Sequence, residues 1–202
     1  RRRTMEILKF RGTNHNKGEY PFTITPDEGI VVIPLSSLEL KQRSSNIRIT
    51  SGNHQLDEMC GGGFFRDSII LVSGATGTGK TLVTTEFIAG GVENGERCLL
   101  FAFEESREQL SRNATGSGRD FKQMEADGKL KVICEYPEVV GLEDHLLKVR
   151  AAIKEYKPNR VAIDSLSALE RISTVKGFRE FIIGITSFIK HQEIAGLFTS
   201  TT

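Results

Sequence analysis

The run Gly74-Ala75-Thr76-Gly77-Thr78-Gly79-Lys80-Thr81 constrains the fold of this 202-residue chain more than any other segment. It has the form G-x-x-x-x-G-K-[ST], in which glycines let the backbone curl so that successive N–H groups face inward and make a concave anion site. Ile69-Ile70-Leu71-Val72 before it reads as a buried strand, and residues 80–93 after it read as a helix whose positive N-terminal end reinforces that site. In this setting Lys80 reaches for the β- and γ-phosphates of a nucleoside triphosphate, and the Thr81 hydroxyl is offered to a magnesium ion bridging them. The candidate nucleotide-binding residues are Gly74, Thr76, Gly77, Thr78, Gly79, Lys80, Thr81 and Leu82, and the implied cofactors are ATP and Mg2+.

The pattern around the loop extends this reading. From about residue 53, apolar runs at 68–73, 97–103, 130–134, 160–164 and 195–199 alternate with helical stretches at 80–93, 106–115, 119–127, 142–156 and 175–191. Such alternation predicts βαβ units and a parallel sheet covered on both faces. Lys157-Pro158 stops the fourth helix, and Ser106 with Gln109 opens the second as a capping box. In the last helix Val175, Phe178, Ile182, Ile185 and Ile189, widened by Phe181 and Phe188, form a core-facing stripe. Residues 1–34 instead read as strands and turns, with Thr4 to Arg11 alternating as a strand, and Ser36 to Ser51 reads as a connector.

Phosphoryl chemistry needs carboxylates at the C-terminal ends of strands, where open α/β sheets bind their ligands. Asp164 closes the strand Arg160-Val161-Ala162-Ile163 and is read as facing the metal, directly or through water. Glu104 and Glu105 close the strand after the loop helix, where crowding near a metal would push two carboxyl pKa values apart and leave one to accept a proton. The candidate catalytic residues are therefore Glu104 and Glu105, and the candidate metal ligands Thr81, Glu104 and Asp164.

Composition narrows the class of protein. With 38% apolar and 26% charged residues the chain is an ordinary globular one, and a net charge of +1 argues against a DNA-binding surface. Arg1-Arg2-Arg3 reads as solvated surface. Cys60, Cys98 and Cys134 lack disulfide or zinc spacing, so a reducing cytoplasm is expected. No apolar run reaches the roughly 18 residues of a membrane span.

Several stretches carry a more specific likeness. They are Lys9-Phe10-Arg11-Gly12-Thr13-Asn14-His15, residues 17–25, Leu56-Asp57-Glu58-Met59-Cys60-Gly61-Gly62-Gly63-Phe64-Phe65, Phe101-Ala102-Phe103-Glu104-Glu105-Ser106-Arg107 and residues 162–169. Together with the phosphate loop they resemble the KaiC family, cyanobacterial circadian-clock ATPases and autokinases with two tandem RecA-like domains. The resemblance implies an incomplete, mostly parallel RecA-like P-loop sheet preceded by a short β segment. Residues 1–35 then match the end of a first ATPase domain, 36–50 a linker, and 51–202 the first part of a second domain. It also implies a homohexamer with ATP between subunits, clock partner proteins, and autokinase and autophosphatase activity at a Ser-Thr pair beyond Thr202. By the same resemblance Glu104 and Glu105 match the catalytic carboxylates, while Lys9, Phe10, Arg11, Thr13 and His15 match positions that serve the nucleotide of a neighbouring subunit. Residues 114–118 stand where close relatives carry aromatics packed near the base of ATP. Two other readings share the fold: a nucleotide-gated assembly module without catalysis, and a RecA-like DNA-dependent ATPase.

Overall fold

The computed structural model of the chain describes residues 3–14, 18–26, 28–33 and 44–202. The N-terminal residues form a three-stranded antiparallel sheet of β1 (Thr4–Glu6), β2 (Glu19–Thr25) and β3 (Gly29–Val32). Pairing of Glu6 with Glu19 ends the β1–β2 register, so the strand expected over Thr4 to Arg11 stops at Glu6: Ile7 to Phe10 have no strand partner there. Half of the expected connector, residues 36–43, lies outside the described residues. Its end is not a plain connector, since β4 (Arg48–Ile49) is a strand with Ile49 buried.

Helix α1 (His54–Met59) follows, capped by the Asn53 side chain on the Leu56 N–H at 3.0 Å, and β5 (Phe64–Phe65) returns to pair with β4. Alternation of strand and helix then begins. The elements are β6 (Ile69–Gly74), α2 (Lys80–Glu93), β7 (Cys98–Ala102), α3 (Arg107–Gly116), α4 (Phe121–Ala126) and β8 (Leu130–Cys134). They continue as α5 (Leu142–Tyr156), β9 (Arg160–Asp164), α6 (Leu166–Arg171), α7 (Val175–His191) and β10 (Ala195–Thr201). The five long strands form one parallel sheet in the order β6-β10-β9-β7-β8. This is the α/β parallel-sheet arrangement that the strand and helix alternation predicts, and it agrees with the RecA-like fold that the resemblance implies.

Side chains alternate across the sheet and bury both faces. Leu99, Phe101 and Phe103 pack with Val161 and Ile163 against α5, α6 and α7, where Ile185 and Ile189 are fully buried. Cys98, Leu100 and Ala102 face α2, α3 and α4 through Ile88, Leu110 and Phe121. Each fully buried Leu, Ile or Phe contributes about 2 to 3 kcal/mol of transfer free energy, so this double layer dominates the stability. Val175 departs from the expected stripe: it opens α7 directly after the N-cap Thr174 and is 80% exposed. Helix α5 stops as expected, with Lys157 in the left-handed region just before Pro158. Among the described residues, no helix is long and apolar enough to cross a membrane.

Neighbouring strands β7 and β9 send their chains to opposite faces, β7 to α3 and β9 to α6. A crevice opens between strand ends where the winding reverses in this way. The β1–β3 sheet lies elsewhere, on α5 and α7: Thr23 donates a hydrogen bond to Asp144, and Lys176 pairs with Glu19 at 3.2 Å.

Candidate functional site

The phosphate loop joins β6 to α2 as a turn that only glycine accommodates at two points. Gly77 has φ +82° and Gly79 φ +94°, and a Cβ built on Gly77 would meet nothing within 4 Å, so the loop is open on the side that a side chain would occupy. Thr78 steadies the curl by donating to the Ala75 carbonyl at 2.8 Å. Lys80 bends back over the loop, with Nζ donating to the carbonyls of Gly74 and Ala75 at 2.8 and 2.9 Å. That ammonium therefore stands at the mouth of the curl, on the side where phosphate oxygens would be bound.

A cavity of about 290 Å³ lies beside it, lined by Thr76, Gly77, Gly79, Lys80, Thr81, Leu82, Glu104, Glu105, Asp164 and Thr201 among others. Three strand ends and one helix start thus converge on one space. Asp164 is set by the parallel register that places it beside Ala102, and its carbonyl accepts the Phe103 N–H at 2.8 Å. Its carboxylate accepts from Thr81 Oγ1 at 2.8 Å and from Thr199 Oγ1 at 2.5 Å. A hydroxyl and a carboxylate 2.8 Å apart beside a phosphate cradle are hard oxygen donors of the kind magnesium takes alongside phosphate oxygens. The residues present therefore fit both ATP and Mg2+.

Glu104 and Glu105 follow β7 and precede α3, whose capping box is formed by Ser106 and Gln109. Glu104 accepts from Ser165 Oγ at 2.7 Å and pairs with Arg171 at 2.9 Å. Glu105 accepts from Asn113 Nδ2 at 3.0 Å. Burial, and then the nearby charge of Asp164, holds the Glu105 carboxyl above its ordinary value, with Glu104 adding to the effect and Asn113 and Arg112 opposing it. A carboxylate in that state has a raised affinity for a proton, as a general base requires. By contrast, burial pushes the Cys98 thiol up to about 12, which keeps it protonated and inert at neutral pH.

The remaining expected site residues lie apart. Lys9, Phe10, Arg11 and Thr13 are exposed on the segment after β1, and none of them lines the cavity. His15 is outside the described residues. Sequence reasoning did not single out Ser165, Arg171, Thr199 or Asn113. For Ser165 the available signal was its place directly after Asp164; the other three become visible only when distant segments meet. Residues 114–118, where aromatics were expected to be missing, end α3 with Ser117 as its C-cap.

Comparison with known proteins gives a consistent result. The family model described as "ATPase: KaiC" matches residues 1–37 and 49–202. The circadian clock protein KaiC3 of Synechocystis sp. is 74% identical over all 202 residues, which cover 40% of that relative. The circadian clock oscillator proteins KaiC of Rippkaea orientalis and Acaryochloris marina are 62% and 61% identical over the whole chain, covering 39% and 38% of their lengths. The chain therefore spans about two fifths of the length of these curated relatives.

Proposed function

The chain belongs to the KaiC family of ATPases, and from that premise we propose that the intact protein is a magnesium-dependent ATPase that also phosphorylates Ser and Thr of its own assembly. The observation that carries this reading is the meeting of Lys80, Thr81, Glu104, Glu105 and Asp164 around one cavity. ATP and Mg2+ would bring the triphosphate and its charge compensation to that space. The loop amides and Lys80 would hold the β- and γ-phosphates, while Thr81 and Asp164 would hold the metal. Of the adjacent pair Glu104 and Glu105, one would accept the proton of the attacking oxygen.

A water molecule in that position gives hydrolysis; a side-chain hydroxyl gives phosphoryl transfer. The same groups serve both outcomes, because each requires an oxygen aligned with the γ-phosphorus and relieved of its proton. The relatives named for the circadian clock support a clock role; clock partner proteins and a homohexameric ring are the assembly that the family resemblance would imply. Residues 1–35 would then belong to a first ATPase domain and 51–202 to a second, with Lys9, Phe10, Arg11, Thr13 and His15 serving a neighbour's nucleotide. Three free cysteines are consistent with a reducing cytoplasm.

The test uses the full-length protein with Glu104→Gln and Glu105→Gln together. Loss of both ATP hydrolysis and labelled phosphate incorporation, with MgATP binding retained, is the expected result. Unchanged incorporation would sink the kinase reading. Retained assembly with no turnover even in the parent would favour a nucleotide-gated assembly module.

A further inference from the structure

A second cavity, of about 320 Å³, lies between the edge strand β8 and α5, on the face of the sheet opposite α2. That volume suits a small molecule. Phe101 and Phe103 line it from β7 and its end, with Phe101 in register beside Ile133 of β8. The facing wall is one stripe of α5 that includes His145, Val149 and Ala152. Two ion pairs run from strand to helix at its rim, Lys148 to Glu135 at 2.8 Å and Lys131 to Glu155 at 3.5 Å. These four charges sum to zero and are already paired, so a charged occupant would find no free counter-charge.

His145 is the buried polar group of the wall, 1% exposed. Its Nε2 lies 3.0 Å from the Pro137 carbonyl, which can only accept, so Nε2 carries the ring hydrogen. In the neutral ring Nδ1 is then an acceptor. The group facing it is a second acceptor, a Glu135 carboxylate oxygen at 3.6 Å, and no donor among the described residues meets it. A buried acceptor without a donor is uncommon, because it forfeits the hydrogen bond that water would have given it. Phe103 packs edge-to-face on the same imidazole, with ring centroids 5.3 Å apart.

We propose that this cavity binds a small, neutral, flat aromatic molecule that carries one N–H or O–H donor. Its ring would pack on Phe101 and Phe103, which favour an aromatic partner, and its donor would meet His145 Nδ1. The apolar walls supply most of the affinity, and the one unpaired acceptor sets orientation and selects for a donor. Entry is open to such a molecule, since the Lys131–Glu155 pair is exposed and exposed ion pairs hold weakly. The site is distinct from the nucleotide cavity, with which it shares no lining residue.

The experiment titrates the full-length protein, saturated with MgATP, with indole and with benzothiophene, which has nearly the same shape but no N–H. Ligand-observed NMR reads the binding. Indole should bind with a Kd below about 1 mM, as a ligand of its size can, and benzothiophene about tenfold more weakly. Ala152→Leu fills the cavity with an apolar side chain and should weaken both ligands at least about tenfold, with MgATP binding as the control for folding. His145→Phe should erase the preference for indole while benzothiophene still binds. If that variant does not fold, the parent's preference and the Ala152→Leu variant still decide the matter. Equal affinities for the two ligands in the parent would overturn the proposal, since a water bridging Nδ1 and Glu135 would then satisfy the histidine. Failure of indole to bind at about 5 mM would overturn it as well. So would displacement of indole by MgATP, or unchanged binding in Ala152→Leu, because either would put the ligand elsewhere.

Discussion

The five-stranded sheet and the three-stranded sheet read alike as apolar strand sequence, yet they end in opposite environments. Every residue of β7, Cys-Leu-Leu-Phe-Ala, is buried, whereas Ile30 in β3 is 57% exposed and its cross-strand partner Ile24 is 55% exposed. The difference lies in what connects the strands. Crossovers between parallel strands must carry helices, and those helices cover both faces of the sheet. A hairpin brings no cover of its own, so the outer face formed by Met5, Ile24, Ile30 and Val32 stays in contact with solvent in the described chain. The same contrast governs function. The cavity at Lys80 is built from segments 76–82, 102–110, 164 and 201 of one chain. Lys9 and Arg11 stand on an exposed stretch that lines no part of it.

The most severe way to break this contrast is to remove the cation of the self-contained site. Lys80→Ala should weaken MgATP binding by about a hundred- to a thousandfold, roughly 3 to 4 kcal/mol, because it deletes the ammonium at the mouth of the phosphate loop. Isothermal titration of the variant and parent decides it, with circular dichroism as the folding control. Equal affinities would make the loop a structural turn. Next in size is a stability comparison between the two sheets. Ile185→Ala empties a fully buried position and should destabilise by about 2 to 4 kcal/mol, while Ile30→Ser should stay within about 0.5 kcal/mol. If urea unfolding gives Ile30→Ser a loss comparable to that of Ile185→Ala, the outer face is covered in solution.

Much of this arrangement was legible in the sequence, for physical reasons that also explain the gaps. Helices α2, α5 and α7 begin and end at the residues expected, because long periodic runs and clear stops such as Lys157-Pro158 leave little freedom. Helix α6 was missed: with six residues it is too short to display a period, and its Leu166, Ala168 and Leu169 read equally well as loop. Missing α6 also hid Arg171, whose partner Glu104 is 67 positions away in sequence. Phosphate loops are legible because one contiguous segment must form the whole curl. Most anchors of Glu104 and Asp164 were not: Arg171 and Thr199 acquire meaning only when distant segments meet, and Ser165 offered only its place directly after Asp164. The strand expected over Thr4 to Arg11 failed for a related reason. Alternation shows that a segment can be extended, but a strand also needs a partner, and β2 supplies one only as far as Glu6.

A smaller effect tests whether the self-contained site holds strain of its own. The Glu105 carboxyl is raised above the ordinary 4.5 by burial first and by Asp164 second. A carboxyl with a raised pKa in the folded state keeps its proton to higher pH folded than unfolded. Stability therefore falls as pH rises from the ordinary value through the raised one, and stays reduced above it. Glu105→Gln removes that penalty, so the variant should melt slightly above the parent at neutral pH while turning over more slowly. Below about pH 4, where Glu105 is protonated folded and unfolded alike, the two melting temperatures should converge. A variant less stable than the parent at neutral pH would mean that the Asn113 contact outweighs the burial of charge.

The smallest effect on the Lys80 site should come from the N-terminal region, which is where the comparison between the two sheets is sharpest. Lys9 and Arg11 are exposed and line no part of the cavity, so replacing both by Ala should leave the fold and the intrinsic MgATP affinity at Lys80 unchanged. Their proposed role begins only at an interface. A cation that reaches a neighbour's phosphates stabilises them in the assembled state alone, which couples nucleotide binding to assembly and makes each favour the other by the same factor. In the full-length protein the double substitution should therefore raise the ATP concentration needed for ring formation, read as mass by light scattering across an ATP titration. First-domain hydrolysis should fall with it, since fewer complete sites exist at a given ATP level. Phosphorylation per assembled ring should change least, because the cavity that holds Glu104 and Glu105 includes neither residue. Assembly at the parental ATP concentration would reduce Lys9 and Arg11 to solvated surface. A loss of phosphorylation with assembly intact would attach the N-terminal sheet to the Lys80 site, and the separation between the two regions would then be wrong.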